Sequence, residues 1–195
     1  MKNIIKLASV VAVALAMTQT IQAVPITGNI GFTGGVTYDT SSAGTATQVT
    51  SWITPQVTLV SGDFKTPAPF AIAPGTAATF VAGIWNFNTV SAINNFWSVG
   101  GFTFKLLSSY IVSQSGTPGV TGFVVITGTG ICSGNGYTDT TMSWSFTSQD
   151  PKAGSNPDSW TFSASANSVP DGGATVMLLG IALSGAALLK RKLTA

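Results

Sequence analysis

Aspartate is the only acidic residue type in this 195-residue chain, which contains six acidic residues and no histidine. A histidine-dependent catalytic triad, an imidazole general base and a histidine-ligated metal site are therefore excluded. The remaining option for acid–base chemistry is a pair of aspartates, which could act as the two carboxyl groups of a glycoside hydrolase.

The positions of the aspartates favour turns over catalysis. Asp39 and Asp139 lie beside turn sequences, and Asp150 and Asp158 flank a loop that contains two prolines. Aspartate is common in turns because its side chain bonds to nearby backbone N–H groups. Asp150 and Asp158 could also bind calcium, although their loop lacks the dense acidic pattern of a dedicated calcium site. We therefore predict a protein that is not an enzyme and holds no metal or cofactor, with an aspartate-dependent hydrolase as the less favoured alternative.

Cys132 is the single cysteine, so it cannot form an intramolecular disulfide or a cysteine-rich zinc site. The residues that follow it, Gly134, Asn135 and Gly136, supply no cation that would activate a thiol. We expect Cys132 to be a small buried hydrophobic residue. A reactive thiol and an intermolecular disulfide partner are the alternatives.

Exposed aromatic rings could bind sugars, since a ring can stack on the apolar face of a pyranose. Trp144 and Trp160 alternate in phase with other apolar residues and are predicted to lie in a core. Trp85 and Trp97 lie in a less regular stretch rich in asparagine. They are the candidates for a ligand-facing site, which makes a carbohydrate-binding module with a polysaccharide partner our alternative functional hypothesis.

The segment that must position these residues runs from Val24 to Ser168 and is predicted to be one β-rich domain. Its composition of Thr, Ser, Gly, Val and aromatic residues suits strands and turns. Alternation of apolar and polar residues predicts strands with one buried face at 102–106, 141–147 and 160–164, whereas the apolar run 122–128 predicts a fully buried strand.

Turn sequences separate these runs at short intervals. Gly34-Gly35, Pro74-Gly75 and Gly100-Gly101 are examples, and Asn135-Gly136 is the strongest signal for a two-residue hairpin. We predict a single antiparallel β-sandwich, jelly-roll-like, with a closed barrel or a β-solenoid as the alternatives.

The positive charges of the chain are concentrated at its two ends. Between Val24 and Ser168 there are three lysines and five aspartates, so the net charge of this segment is 3 − 5 = −2. Nucleic-acid binding depends on clustered Lys and Arg. We therefore expect no nucleic-acid partner.

The first 23 residues have the layout of a secretory signal peptide. Lys2 and Lys6 precede an apolar run over 7–17 that is too short to span a bilayer comfortably. We predict cleavage by signal peptidase between Ala23 and Val24. An uncleaved N-terminal anchor is the alternative, because Ile21 is bulkier than the small residue preferred three places before the cut.

The last 27 residues, 169–195, contain three parts in a fixed order. The motif Val169-Pro170-Asp171-Gly172-Gly173 comes first, an apolar run over 174–189 follows, and the basic cluster Lys190-Arg191-Lys192 comes last. The apolar run predicts a transmembrane helix, and the basic cluster sets its orientation because Lys and Arg stay on the cytoplasmic side. A plain C-terminal membrane anchor has the same layout and remains the alternative.

This tripartite tail resembles the PEP-CTERM sorting signal of bacterial exosortase substrates. It is similar to the Val-Pro-Asp-Ser-Gly variant, with Gly172 in place of the serine, while Pro170 and Asp171 retain the proline and the acid. The resemblance implies that a membrane transpeptidase or protease processes the chain near the motif and that the catalytic residues belong to that enzyme. Tails of this kind accompany exopolysaccharide and biofilm production.

We accordingly predict a bacterial protein that is exported through the inner membrane, held there as an anchored precursor, and then transferred to the cell surface or the extracellular matrix. Its expected partners are signal peptidase, an exosortase, the inner membrane and polysaccharide.

Overall fold

The computed structural model describes residues 23–65, 71–117, 121–150 and 160–168, together with Leu179 and Leu183. Within the four ranges the chain forms strands and one short 3-10 helix, Gly62–Phe64. The strands are β1 (Asn29–Tyr38), β2 (Gln48–Val60), β3 (Thr79–Phe80), β4 (Trp85–Asn86), β5 (Ile93–Val99), β6 (Phe102–Thr117), β7 (Thr121–Gly134), β8 (Tyr137–Gln149) and β9 (Trp160–Ser168). The prediction of an all-β domain is confirmed.

All nine strands belong to one antiparallel sheet. Their order is β3-β5-β6-β7-β8-β9-β1-β2-β4. Strands β5 to β9 follow one another as a meander, and β9 then pairs with β1, which brings the two ends of the domain side by side. The prediction of two stacked sheets in a jelly-roll-like sandwich is not confirmed, because the described strands form a single curled sheet.

Short segments bridge the two edges of this curled sheet. The residues before β3 bond to β2, where the Val57 amide donates to the Thr76 carbonyl at 2.9 Å, while β3 itself pairs with β5. Strand β4 pairs with β2, and the residues after it reach β6, where the Ser109 amide donates to the Thr89 carbonyl at 2.9 Å. The sheet therefore closes around its inner face.

Aromatic rings fill the space inside the curled sheet. Trp52 lies among them, with ring centroids 4.4 Å from Phe80 and 5.2 Å from Phe162. Trp144 and Phe146 are fully buried, as the alternating pattern predicts. Each large ring removes on the order of 150–250 Å² from water, and edge-to-face contacts between rings add to that burial.

Two hairpin turns form where glycine-containing pairs predict them. Asn135 and Gly136 join β7 to β8 with φ values of 51° and 80°, as a two-residue turn of this type requires. Gly100 and Gly101 join β5 to β6 in the same way, with φ values of 54° and 81°. Both predicted turns are confirmed.

Two other local predictions are wrong. Gly34-Gly35 is not a turn but lies inside β1, where a Cβ at Gly34 would come within 2.9 Å of the Ile53 carbonyl oxygen. The run 122–128 is not fully buried, since it alternates like the other strands and leaves Phe123 38% exposed on the outer face. The glycines at 34 and 35 are explained by the close approach of β2 to β1 and not by a change of chain direction.

Candidate functional site

The motif 169–173 and the basic cluster 190–192 lie outside the described residues, as does most of the predicted helix 174–189. Of that segment only Leu179 and Leu183 are described, both helical and exposed. No helix of sufficient length and apolarity to cross a membrane occurs in the part of the chain that the structure describes. The geometry that leads into the motif is, however, fully defined.

Strand β9 carries the chain to the residue before the motif and holds it there. Ser168, the last residue of β9, donates its amide to the Gly28 carbonyl at 3.0 Å and accepts the Gly28 amide on its hydroxyl oxygen at 3.0 Å. On the other side of the strand Ser168 is in register with Met142 of β8. The folded sheet therefore extends to the boundary of the tail.

The N-terminal segment is fastened at the same end of the sheet. The Val24 carbonyl accepts the Thr138 amide at 3.1 Å, and the Ile26 amide donates to the Thr140 hydroxyl at 2.8 Å. Ala23 and Val24 are exposed, so the predicted signal-peptide cleavage position lies at the surface. We call this end of the sheet, formed by 23–29, 61–65, 137–140 and 167–168, the tether end.

A carboxylate locks the N-terminal segment into the tether end. Asp63 accepts the Thr27 amide at 2.7 Å and the Thr27 hydroxyl at 2.8 Å, and its own amide donates to the Thr27 carbonyl at 2.8 Å. The chains touch at Gly28 and Gly62, where an added Cβ on either residue would come within 2.2 Å of a backbone oxygen. We call these Asp63–Thr27 hydrogen bonds and the close approach of Gly28 and Gly62 a clamp, which fixes the two segments relative to each other.

A second clamp holds the loop at the opposite end of the sheet, which we call the distal end. Asp150 accepts the Ser42 hydroxyl and the Ala43 amide, both at 2.6 Å. The side chain of Gln114 donates to the carbonyls of Ala43 and Ala46 at 2.8 and 2.7 Å. The loop between β1 and β2 is thereby folded over the end of the sheet.

Asp39 fastens the same loop at its other side. Partial burial opposes ionisation of this carboxyl, but hydrogen bonds from the Thr47 hydroxyl and amide and from the Gln48 amide outweigh it and lower the pKa of Asp39. The carboxylate is therefore the stable form in the folded protein.

The described aspartates are thus distributed over separate positions. Asp63 serves the tether end, Asp39 and Asp150 bond to different residues of the β1–β2 loop, and Asp139 is exposed on β8. Asp158 lies outside the described residues. Within the described ranges no three side chains of the His, Cys, Asp and Glu types come together as a metal site would need.

The proposal that Trp85 and Trp97 face a ligand is wrong. Both side chains are fully buried. Trp85 donates its indole N–H to the Ser109 hydroxyl at 3.2 Å, and Trp97 stacks on Phe104 with ring centroids 5.2 Å apart. The irregular, asparagine-rich stretch has a simple structural reason, because it bridges the edges of the sheet and turns its rings inward.

Cys132 is buried on the inner face of β7, as expected from the sequence. Burial, which disfavours the thiolate, raises the pKa of the thiol to about 12. The thiol is therefore protonated at neutral pH.

The outer face of the sheet carries side-chain hydroxyl groups in rows that cross the strands. One row runs through Tyr110, Thr127, Ser145 and Ser165, which are consecutive register partners on β6 to β9. The hydroxyls of Ser145 and Ser165 lie 2.8 Å apart. Tyr110 is 58% exposed, and the outward positions of β7 and β9 within the described ranges carry no charge. Alternation from Phe102, Phe104 and Leu106 would place Tyr110 on the inner face, but the register shift between Leu106 and Ser108 reverses the phase of β6 and turns the Tyr110 ring outward.

The family model for the VPDSG-CTERM motif matches residues 168–193 of the chain. No curated protein and no solved structure is similar enough to the chain to count as a match. The C-terminal tail is therefore a PEP-CTERM-like sorting signal, as its resemblance indicates. Such a signal implies an exosortase-type processing partner and a secreted precursor that passes through a membrane.

Proposed function

We propose that the chain is a non-enzymatic protein of the bacterial cell surface or extracellular matrix, which an exosortase sorts and processes. The observation that carries this proposal is the match of 168–193 to the sorting-motif family, which begins at Ser168, the last residue of β9. The domain between the two terminal signals is then the cargo that is delivered.

The order of events follows from the chain. Signal peptidase cuts between Ala23 and Val24, and the apolar run 174–189 holds the precursor in the inner membrane with 190–192 on the cytoplasmic side. The exosortase then acts within or near Val169–Gly173. Release from the membrane, and transfer to the surface or the matrix, depends on that last step.

The surface of the domain suits a matrix associated with exopolysaccharide and biofilm. Hydroxyl and amide groups provide most of the hydration on its outer face, so that electrostatic repulsion between neighbouring copies is small. Three of its aspartates accept hydrogen bonds that fasten loops, which supports a structural use of these carboxylates. This combination favours a structural component over an enzyme.

The test is cell fractionation of the precursor in a host that carries a matching exosortase. We expect the wild type to leave the inner-membrane fraction and a Pro170→Ala, Asp171→Ala double variant to stay there. A Thr194→Ala variant, changed beyond the motif and the basic cluster, is the matched control and should leave with the wild type. Equal retention of all three chains would mean that the tail is a plain membrane anchor.

A carbohydrate-binding module is the second candidate, and the outer face is the observation in its favour. Tyr110 presents an exposed ring at the end of a row of hydroxyl groups, as a sugar-stacking site would. The test is retention of the protein on the polysaccharide of its own cell. Tyr110→Ala should reduce retention at least tenfold, whereas Val90→Ala, at an even more exposed apolar side chain, should not. No retention of the wild type would remove this candidate.

A further inference from the structure

The geometry points to a fixed orientation of the anchored precursor: we infer that the tether end rests against the lipid headgroups of the inner membrane while the distal end faces away from it. The inference rests on the proposed function, because it assumes that 174–189 is the membrane anchor. Beyond the proposed function, it identifies the surface of the domain that contacts the membrane and the side from which the processing enzyme reaches the motif.

The C-terminal connection is short. Ser168 is bonded to Gly28 through both its amide and its hydroxyl, so the residue before the motif is fixed on the sheet. Five residues, 169–173, separate it from the apolar run. Five fully extended residues span at most about 17 Å. The tether end therefore lies within that distance of the membrane.

The N-terminal connection leads to the same end. Val24 is bonded to Thr138, the second residue of β8, and Thr27 is bonded to Asp63. Before signal-peptide cleavage both membrane segments therefore join the domain beside each other, since Asn29 of β1 is in register with Asn167 of β9. Until signal peptidase cuts, these two connections at one end restrict tilting of the domain, and the short C-terminal connection remains afterwards.

The distal end must then be far from the bilayer. Strand β7 has 14 residues and runs between the two ends, with Gly134 at the tether end and Thr121 at the distal end. At about 3.3 Å per residue its length is roughly 45 Å. The loop clamped by Asp150 is therefore presented outward, and the processing enzyme must reach the motif in the narrow gap on the membrane side.

The described residues of the tether end are compatible with contact with headgroups. The tether end carries one cationic side chain, Lys65, and two anionic ones, Asp63 and Asp139, and the α-amino group that signal-peptide cleavage leaves on Val24 balances the second anion. Val24 adds an apolar side chain that is 62% exposed. Neutral contact with a lipid surface therefore carries little electrostatic cost.

A matched pair of cysteine variants tests the orientation. Thr138→Cys at the tether end and Thr117→Cys at the distal end both replace exposed threonines near strand ends. The buried Cys132 should not react with the fluorophore. Wild-type protein treated with the same reagent is the control and should remain unlabelled. The precursor from Val24 to Ala195, labelled with one fluorophore, is placed in vesicles that contain a headgroup-linked quencher and no processing enzyme.

We expect strong quenching at position 138 and less than a fifth of it at position 117. Insertion of ten Gly and Ser residues between Ser168 and Val169 lengthens the maximum span to about 50 Å and should reduce the quenching at 138. The same insertion at Gly83, which has open space around it, is the control and should leave the quenching unchanged.

The outcomes separate the two claims. Equal quenching at both positions, in a chain that floats with the vesicles, would overturn the orientation and leave the proposed sorting intact. Failure of the chain to float with vesicles would contradict the membrane anchor and overturn both.

Discussion

At the scale of single residues, burial decides what Cys132 can do. A thiol with a pKa of about 12 supplies almost no thiolate at neutral pH, and thiolate is the reactive form. We predict that native protein does not react with a thiol reagent at pH 8 and that unfolding in urea makes Cys132 react completely. Rapid reaction of the folded protein would contradict its burial.

The same group makes the stability depend on pH. The folded protein keeps the Cys132 proton that the unfolded chain loses above its ordinary pKa of 9.0. The stabilisation is therefore present below pH 9 and falls as the pH rises towards 12. Urea unfolding of the wild type and of Cys132→Ala between pH 8 and pH 10 measures it, and parallel curves for the two proteins would exclude this contribution.

Asp150 is the residue whose charge holds the β1–β2 loop. Asp150→Asn keeps the shape of the side chain but weakens its bonds to Ser42 and Ala43, because hydrogen bonds to an ionised acceptor are about twice as strong as neutral ones. We predict a loss of about 1–3 kcal/mol in the free energy of unfolding. Asp139→Asn, at an exposed position, is the control, with an expected change below about 0.5 kcal/mol. Equal effects would refute the clamp.

At the scale of elements, the runs of alternating apolar and polar residues predict strands correctly. The glycine-containing pairs predict turns correctly at 100–101 and 135–136 but wrongly at 34–35. The inward residues of β6 and β8, such as Phe104 and Trp144, follow from period-two spacing alone. Gly34-Gly35 has the composition of a turn, but glycine is needed there because Ile53 of the neighbouring strand β2 approaches the backbone closely. The local sequence carries no information about that contact. Trp85 and Trp97 were misplaced for the same reason, since the bridging role of their segment depends on distant strands.

Gly34 offers a direct check of that explanation. We predict that Gly34→Ala costs about 1–3 kcal/mol of unfolding free energy, because its methyl group would lie 2.9 Å from both the Ile53 carbonyl oxygen and the Phe162 ring. In a strand this substitution would otherwise be neutral or favourable. Gly83→Ala, which has nothing within 4 Å, is the control. Urea unfolding measures both, and a stable Gly34→Ala variant would contradict the packing.

At the scale of the whole molecule, the sequence is most informative about destination and least informative about closure of the sheet. The tail can be read from the order of Pro170, the apolar run and the basic cluster, because these are local features with a physical role in the membrane. Pairing of β9 with β1 joins residues that are 124 to 138 positions apart, from Val36 with Trp160 to Asn29 with Asn167, and no local pattern specifies it. The tether end was therefore visible only in the structure.

The central claim, that a sorting enzyme removes the tail of an exported domain, is tested most directly by the intact mass of the protein recovered from outside the inner membrane. We predict a chain that begins at Val24 and ends within or near Val169–Gly173, so that Ala174–Ala195 is missing. A mass that includes the complete tail up to Ala195 would contradict the account and leave a simple anchored surface protein.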